Sequence, residues 1–186
     1  MVRRRHLAVA ALAGAAACMV AQAQNRLSPN NLAPFVPTPE PVVLKMLEAA
    51  ELKPGEVLYD LGCGDGRILF MAAQKFGARA VGVELSSKLV RQTSEKAAAL
   101  GLQNQVKVIE GNLLEVDIRD ADVVTLYLQR LTNEKLKPIL KKQLRPGARV
   151  VSHDYEIMGW RPERIEKVFV YQRPHVIYVY RMPPVE

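Results

Sequence analysis

Short apolar strands alternate with amphipathic helical segments from residue 56 to residue 153, and this alternation predicts an α/β fold. In such a fold a parallel sheet is covered by helices on both faces. A second observation refines the prediction. The last two strand-like runs, 165–171 and 176–182, follow one another with no helix between them, so they pair as an antiparallel hairpin at a sheet edge. A third sets the scale: 186 residues, 49% hydrophobic and 24% charged, make one ordinary globular domain with a short appendage.

The elements follow in order. Val43, Met46, Leu47 and Ala50 recur at helical spacing, and Pro54-Gly55 stops that helix. Residues 56–61 form a short apolar strand, 67–76 a helix ended by Gly77, and 79–84 the second strand. Ser86 or Ser87 caps a helix that runs to Leu100 and ends at Gly101. Residues 106–110 and 122–127 are the third and fourth strands. Leu136, Ile139, Leu140 and Leu144 mark a further helix, with Pro138 near its start or kinking its first turns. Arg145-Pro146-Gly147 makes a turn, residues 148–153 a fifth strand, and Arg173-Pro174 a break between the final two strands.

The N-terminus reads as a targeting segment. Arg3, Arg4 and Arg5 precede an apolar, Ala-rich run from Leu7 to Val20, and Ala21-Gln22-Ala23 fits a cleavage site. Residues 1–23 are therefore expected to be a signal peptide that directs the chain to the periplasm or outside the cell. The run is short for a bilayer span, and Ala15-Ala16-Ala17-Cys18 fits a lipidation box poorly. Cleavage would remove three arginines and no acid, bringing the net charge from +7 to +4. That is modest for a nucleic-acid binder, and no nucleic-acid partner is expected. Residues 24–41, with prolines at 29, 34, 37, 39 and 41, read as an extended arm, and 42–186 as the folded domain. Membrane contact is expected only through the N-terminal segment. Two cysteines rule out a disulfide scaffold, and histidines at 6, 153 and 175 leave little for a metal centre, so no metal is expected.

The chemistry concentrates in Asp60-Leu61-Gly62-Cys63-Gly64-Asp65-Gly66-Arg67, between the first strand and its helix. Glycines there let the backbone turn sharply and approach a ligand. The spacing is G-x-G-x-G, not the G-x-G-x-x-G of dinucleotide loops. Asp60 would repel a pyrophosphate and favour an ammonium group. Glu84 ends the second strand, 24 residues on, placed to accept hydrogen bonds from ribose hydroxyls. An ammonium and a ribose without a phosphate describe S-adenosylmethionine.

With Glu110-Gly111-Asn112-Leu113 and Leu144-Arg145-Pro146-Gly147 added in order, the sequence resembles the seven-strand S-adenosylmethionine-dependent methyltransferases over roughly residues 55–152. The resemblance implies a Rossmann-like, doubly wound, seven-stranded, mostly parallel sheet of order 3-2-1-4-5-7-6 with a C-terminal antiparallel hairpin. It implies that Asp60 and Gly62 lie near the methionine part of the cofactor, Glu84 at the ribose, and Asn112 and Leu113 beside the adenine, with Cys63, Gly64, Gly66 and Leu85 also among the cofactor-binding residues. Asn112 stands where Asp is commoner. A narrower likeness, carried by Phe35-Val36-Pro37-Thr38, the glycine loop through Ile68, and Gly82-Val83-Glu84-Leu85, is to the small lysine methyltransferases that modify the c subunit of mitochondrial ATP synthase and their bacterial relatives.

Catalytic candidates are weaker. His153 and Asp154 follow the fifth strand, where a general base or a strand-end hydrogen-bonding pair are both open readings. Tyr127, Tyr155 and Trp160 lie at or beyond strand ends and either enclose an amine through cation–π contact or pack under the loops. Cys63 reads as a small loop filler. The acceptor stays open: a protein lysine, or a small-molecule amine or hydroxyl. A non-catalytic cofactor-binding module and an aminopropyltransferase are the rival readings. A nicotinamide oxidoreductase is disfavoured by the loop spacing, and a DNA amino-methylase by Tyr127-Leu128-Gln129-Arg130, where Asn-Pro-Pro-aromatic would stand. Export conflicts with the cytosolic supply of the cofactor, which gives the non-catalytic reading its weight.

Overall fold

The computed structural model describes residues 36–186, so the expected signal peptide and most of the arm lie outside the described residues. Seven strands form one sheet of order β3-β2-β1-β4-β5-β7-β6. They are β1 (Val57–Leu61), β2 (Arg79–Glu84), β3 (Val106–Glu110), β4 (Val123–Leu126), β5 (Arg149–His153), β6 (Arg164–Val170) and β7 (Arg173–Arg181). The pairs from β3 through to β5 are parallel, whereas β7 runs antiparallel to β5 and β6. The order reverses between β1 and β4, and the crevice above that switch point is where open α/β sheets bind ligands.

The helices are α1 (Glu40–Ala49), α2 (Arg67–Phe76), α3 (Ser87–Ala99) and α4 (Arg130–Gln143). Helix α1 presents Val42, Val43, Met46 and Leu47 on its inner stripe, all fully buried. At roughly 1.5–3 kcal/mol for each buried aliphatic side chain, that stripe anchors the chain to the sheet. It meets α2, β6 and β7 in one core with Leu58, Leu69, Val151, Ile177 and Val179. Helix α4 lies on the opposite face. Adjacent residues of β5 show this: Ser152 faces Asn133 of α4, while His153 faces Thr38, just before α1.

Several boundaries differ from the sequence expectation. Helix α1 begins at Glu40 with Pro41 in its first turn, inside the expected arm, because proline suits the first helical positions, where no N–H bond is required. Helix α4 starts well before Leu136, so Pro138 lies in its interior. The hairpin turn is made by Tyr171 and Gln172, with φ of 50° and 60°, and Arg173-Pro174 belongs to β7. A two-residue turn of this hand needs positive φ at both positions, which Asn-Gly announces and Tyr-Gln does not. No described helix is long and apolar enough to cross a membrane.

Candidate active site

The carboxyl ends of β1 and β2 shape one half of the site. Gly62 and Cys63 both donate their N–H groups to the Val83 carbonyl, at 2.8 and 3.1 Å, so the loop bends back against β2. Gly62, Gly64 and Gly66 all have positive φ. At Gly66 a Cβ would lie 2.4 Å from Thr93 Cγ2, so glycine is required on two counts. Thr93 Oγ1 donates to the Gly64 carbonyl at 3.0 Å, pinning the loop to α3.

Glu84 is set by the same loop. One carboxylate oxygen accepts the Gly64 N–H at 3.0 Å and the other the Ser86 N–H at 2.9 Å. Both oxygens keep lone pairs for further donors. Ser86 in turn caps α3. Leu85 is exposed, Leu113 is buried, and Asn112 turns back on its own chain: Oδ1 accepts the Leu114 N–H and Nδ2 donates to Glu115. Cys63 is buried against Gly82, and burial together with the nearby Asp60 and Glu84 carboxylates pushes its thiol far up. That environment suits a packing residue rather than a nucleophile.

Asp60 is the unusual group. It is buried at the end of β1, with Thr125 Oγ1 donating to its Oδ1 at 2.8 Å. Burial pushes its carboxyl up to about 7, against the opposing Thr125 bond, and Glu84 and Asp65 add repulsion. A buried acid among acids is costly to ionise unless a cation joins it.

The carboxyl ends of β4 and β5 form the other half. Leu61 pairs with Leu126, so Tyr127 stands one step beyond, beside the glycine loop. Its ring lies 3.9 Å from that of His153 and 6.3 Å from that of Tyr155, centre to centre. Burial and the Asp154 carboxylate raise the Tyr127 phenol, so it stays protonated at neutral pH. His153 lies behind Tyr127 and is fully buried; desolvation pulls its imidazole down to about 4, so it is neutral. Trp160 goes elsewhere, its ring packing edge-on against Tyr180.

The structure adds contacts that the sequence did not reveal, beside the local pairing expected of Arg67. Thr125 reaches Asp60. Arg67 pairs with Asp65 and donates to the Thr38 carbonyl at 2.8 Å, tying the glycine loop to the chain entering α1. His175 of β7 lies 2.8 Å from His153, nitrogen to nitrogen. No local pattern joins positions 38, 153 and 175; only the sheet order does.

These residues fit S-adenosylmethionine. A buried carboxyl with no cationic partner among the described residues matches the ammonium of the methionine part. An anchored carboxylate with spare lone pairs matches the ribose hydroxyls.

Comparison with known proteins agrees. The family model for the ANTKMT methyltransferase domain matches residues 60–164. A protein-lysine N-methyltransferase of Saccharolobus islandicus is 46% identical over 148 residues, 79% of this chain and 92% of that protein. The human lysine N-methyltransferase of the ATP synthase c subunit is 29% identical over 71% of this chain, which spans only 56% of that protein. The crystal structure of an RNA methyltransferase from Salinibacter ruber, in complex with S-adenosyl-L-homocysteine, superposes with a TM-score of 0.76 at 45% identity, covering 80% of this chain and 94% of its own.

Proposed function

We propose that this chain, which belongs to the ANTKMT methyltransferase-domain family and is an S-adenosylmethionine-dependent methyltransferase, transfers methyl groups to the side-chain amine of protein lysines. The observation that carries this reading is the aromatic pair Tyr127–Tyr155 at the carboxyl edge beside the glycine loop. Aromatic faces there attract an ammonium or methylammonium group and shield it from water. The name of the Saccharolobus relative supports the same acceptor class.

When bound, the cofactor would supply a sulfonium methyl for direct transfer to the free amine, the C–S bond breaking and S-adenosylhomocysteine leaving as the neutral thioether. The protein's residues hold and orient. Glu84 would hold the ribose, and Asp60, ionised, the ammonium of the methionine part. Gly62, Gly64 and Gly66 bring the backbone close, while Asn112 and Leu113 border the adenine. Tyr127 and Tyr155 position the acceptor nitrogen, and positioning of this kind supplies much of a barrier reduction. The lysine must arrive deprotonated. His153 is buried and Tyr127 holds its proton, so the proton leaves to solvent. Desolvation between the half-buried rings favours the neutral amine, against the cation–π attraction that draws the ammonium in.

The test is methyl transfer from labelled S-adenosylmethionine to histones, polylysine and bulk RNA in parallel, followed by hydrolysis. Label recovered as ε-N-methyllysine supports the reading. Label in RNA alone, or in no acceptor despite binding of S-adenosylhomocysteine, overturns it. Export through residues 1–23 is a separate proposal, resting on the basic, apolar and Ala-x-Ala pattern. Expression of the full chain in a bacterium tests it: a periplasmic product beginning at Gln24 supports export, and an intact cytosolic chain refutes it.

A further inference from the structure

We propose that His153, His175 and Asp154 form a binding site for one divalent transition-metal ion of the zinc class, at the carboxyl edge behind Tyr127. Ligand atoms of the three residues all lie within 4.8 Å of one another. His153 Nε2 is 2.8 Å from His175 Nδ1, and Asp154 Oδ2 is 3.4 Å from the first and 3.5 Å from the second. Ligands held about 2.0–2.1 Å from a tetrahedral ion lie roughly 3.3 Å apart. The observed triangle is close to one face of such a tetrahedron. Two imidazoles and a carboxylate are a common donor set for zinc.

The surroundings point each donor inward. His153 Nδ1 lies 3.3 Å from Thr38 Oγ1. A proton on Nδ1, given to that hydroxyl, leaves Nε2 as the free lone pair, the outer-sphere arrangement that orients ligating histidines. Asp154 adopts φ of 60°, and its Oδ1 accepts the Val176 N–H at 3.0 Å, which turns Oδ2 toward both rings. Both imidazoles are almost wholly buried. Ion binding needs a neutral His175 with its proton on Nε2, so that Nδ1 also offers a lone pair.

One group competes. The Arg173 guanidinium bonds Asp154 Oδ2, and its side chain is 56% exposed. It can swing into solvent and open a path from outside. The ion would then bridge β5 and β7 and fix the imidazole on which Tyr127 stacks.

The test is calorimetric titration of the purified, chelator-treated full chain with Zn²⁺, together with visible absorption on adding Co²⁺. One equivalent bound at about micromolar affinity or tighter, with tetrahedral-type Co²⁺ bands, is expected. Both signals should vanish in His175→Ala and weaken about tenfold or more in Asp154→Asn. Arg173→Ala should tighten binding by about tenfold, since a competing cation is removed. Circular dichroism and the thermal midpoint establish that each variant is folded. His175→Gln, which keeps a polar partner for His153, replaces His175→Ala if the latter is not. Absence of binding by the wild type overturns the site. So does binding that survives loss of His175, which would place the ion elsewhere.

Discussion

The two halves of the site are built from different materials. On the β1–β2 side the backbone dominates: glycine N–H groups, left-handed turns and two carboxylates, one anchored at both oxygens and one buried with no cation beside it among the described residues. On the β4–β5–β7 side, side chains do it. Two tyrosines, two histidines, an aspartate and an arginine touch one another across three strands. The first half suits a ligand whose shape never changes. The second suits an acceptor that arrives on another molecule and leaves again. Cofactor and acceptor functions should therefore be separable by mutation.

The largest effect belongs to Glu84. Glu84→Ala removes the carboxylate proposed to hold the ribose and frees the Gly64 and Ser86 N–H groups. Charged hydrogen bonds contribute about 1.5–3 kcal/mol each, so affinity for S-adenosylhomocysteine should fall about 100-fold or more by calorimetry. The Tyr127–His153 side should be untouched, with Zn²⁺ titration and the near-ultraviolet tyrosine signal unchanged. If both halves change together, the separation fails.

Next comes Gly66→Ala. The new Cβ would sit 2.4 Å from Thr93 Cγ2 and 3.0 Å from Phe70 Cε2, at φ of 75°. Overpacking and a left-handed alanine together destabilise by about 2–4 kcal/mol, seen as a fall of about 5–12 °C in thermal midpoint. Gly147→Ala is the control: the same hand of backbone at φ of 87°, but no atom within 4 Å of the new Cβ. It should lose only about 1–2 kcal/mol. Equal losses would mean that the loop yields where it looks tight.

The same contrast explains what could be read from the sequence. Asp60, the three loop glycines and Glu84 are joined by short, fixed spacings through one β-α-β unit, so local rules find them together. The sheet order followed from the same blocks, through the family resemblance, and is the order observed. Tyr127 and Tyr155 were visible as strand-end aromatics, and they do meet. Trp160 carried the same signal but packs against Tyr180, because its loop folds down onto α4, where the Lys137 ammonium holds the Met158 carbonyl. His175 was out of reach for a different reason. Its place depends on β7 running antiparallel beside β5 and on a turn at Tyr171-Gln172 whose residues carry no turn signature. Thr38 depends on where α1 enters, which Pro41 obscured.

Asp60 gives a pH prediction with a definite sign. Its carboxyl stands at about 7 in the folded chain, pushed up by burial, against an ordinary value near 4. Between pH 4 and 7 the folded state therefore binds more protons than the unfolded state. Stability from this group is fully present below about pH 4 and is lost as pH rises toward 7. Asp60→Asn should flatten that slope in urea titrations at pH 5, 6 and 7. Ligand binding runs the other way. An ammonium favours the ionised acid, so S-adenosylhomocysteine should bind more tightly as pH rises from 6 to 8, by less than about tenfold per unit, and release protons near pH 6.5. A proton release that persists in Asp60→Asn would assign it to another group.

The smallest effect tests the acceptor half alone. Tyr127→Phe keeps the ring face but loses the hydroxyl, while Tyr127→Ala loses both. If the ring face holds the amine, Tyr127→Ala should raise KM for a lysine peptide about five- to tenfold, the loss of roughly 1 kcal/mol of cation–π contact. Tyr127→Phe should change it less than twofold, and cofactor affinity should stay constant in both. The pH profile adds a second reading. His153 is neutral above about 4, and the Tyr127 phenol is raised above its ordinary value. Neither should titrate between pH 6 and 9, so with saturating cofactor kcat/KM for the peptide should rise steadily as its lysine, with an ordinary value near 10.4, loses its proton. A plateau near pH 7 that vanishes in His153→Ala would instead make the imidazole a participant, and would mean that the acceptor half opens during turnover far enough to expose a side chain that is fully buried at rest.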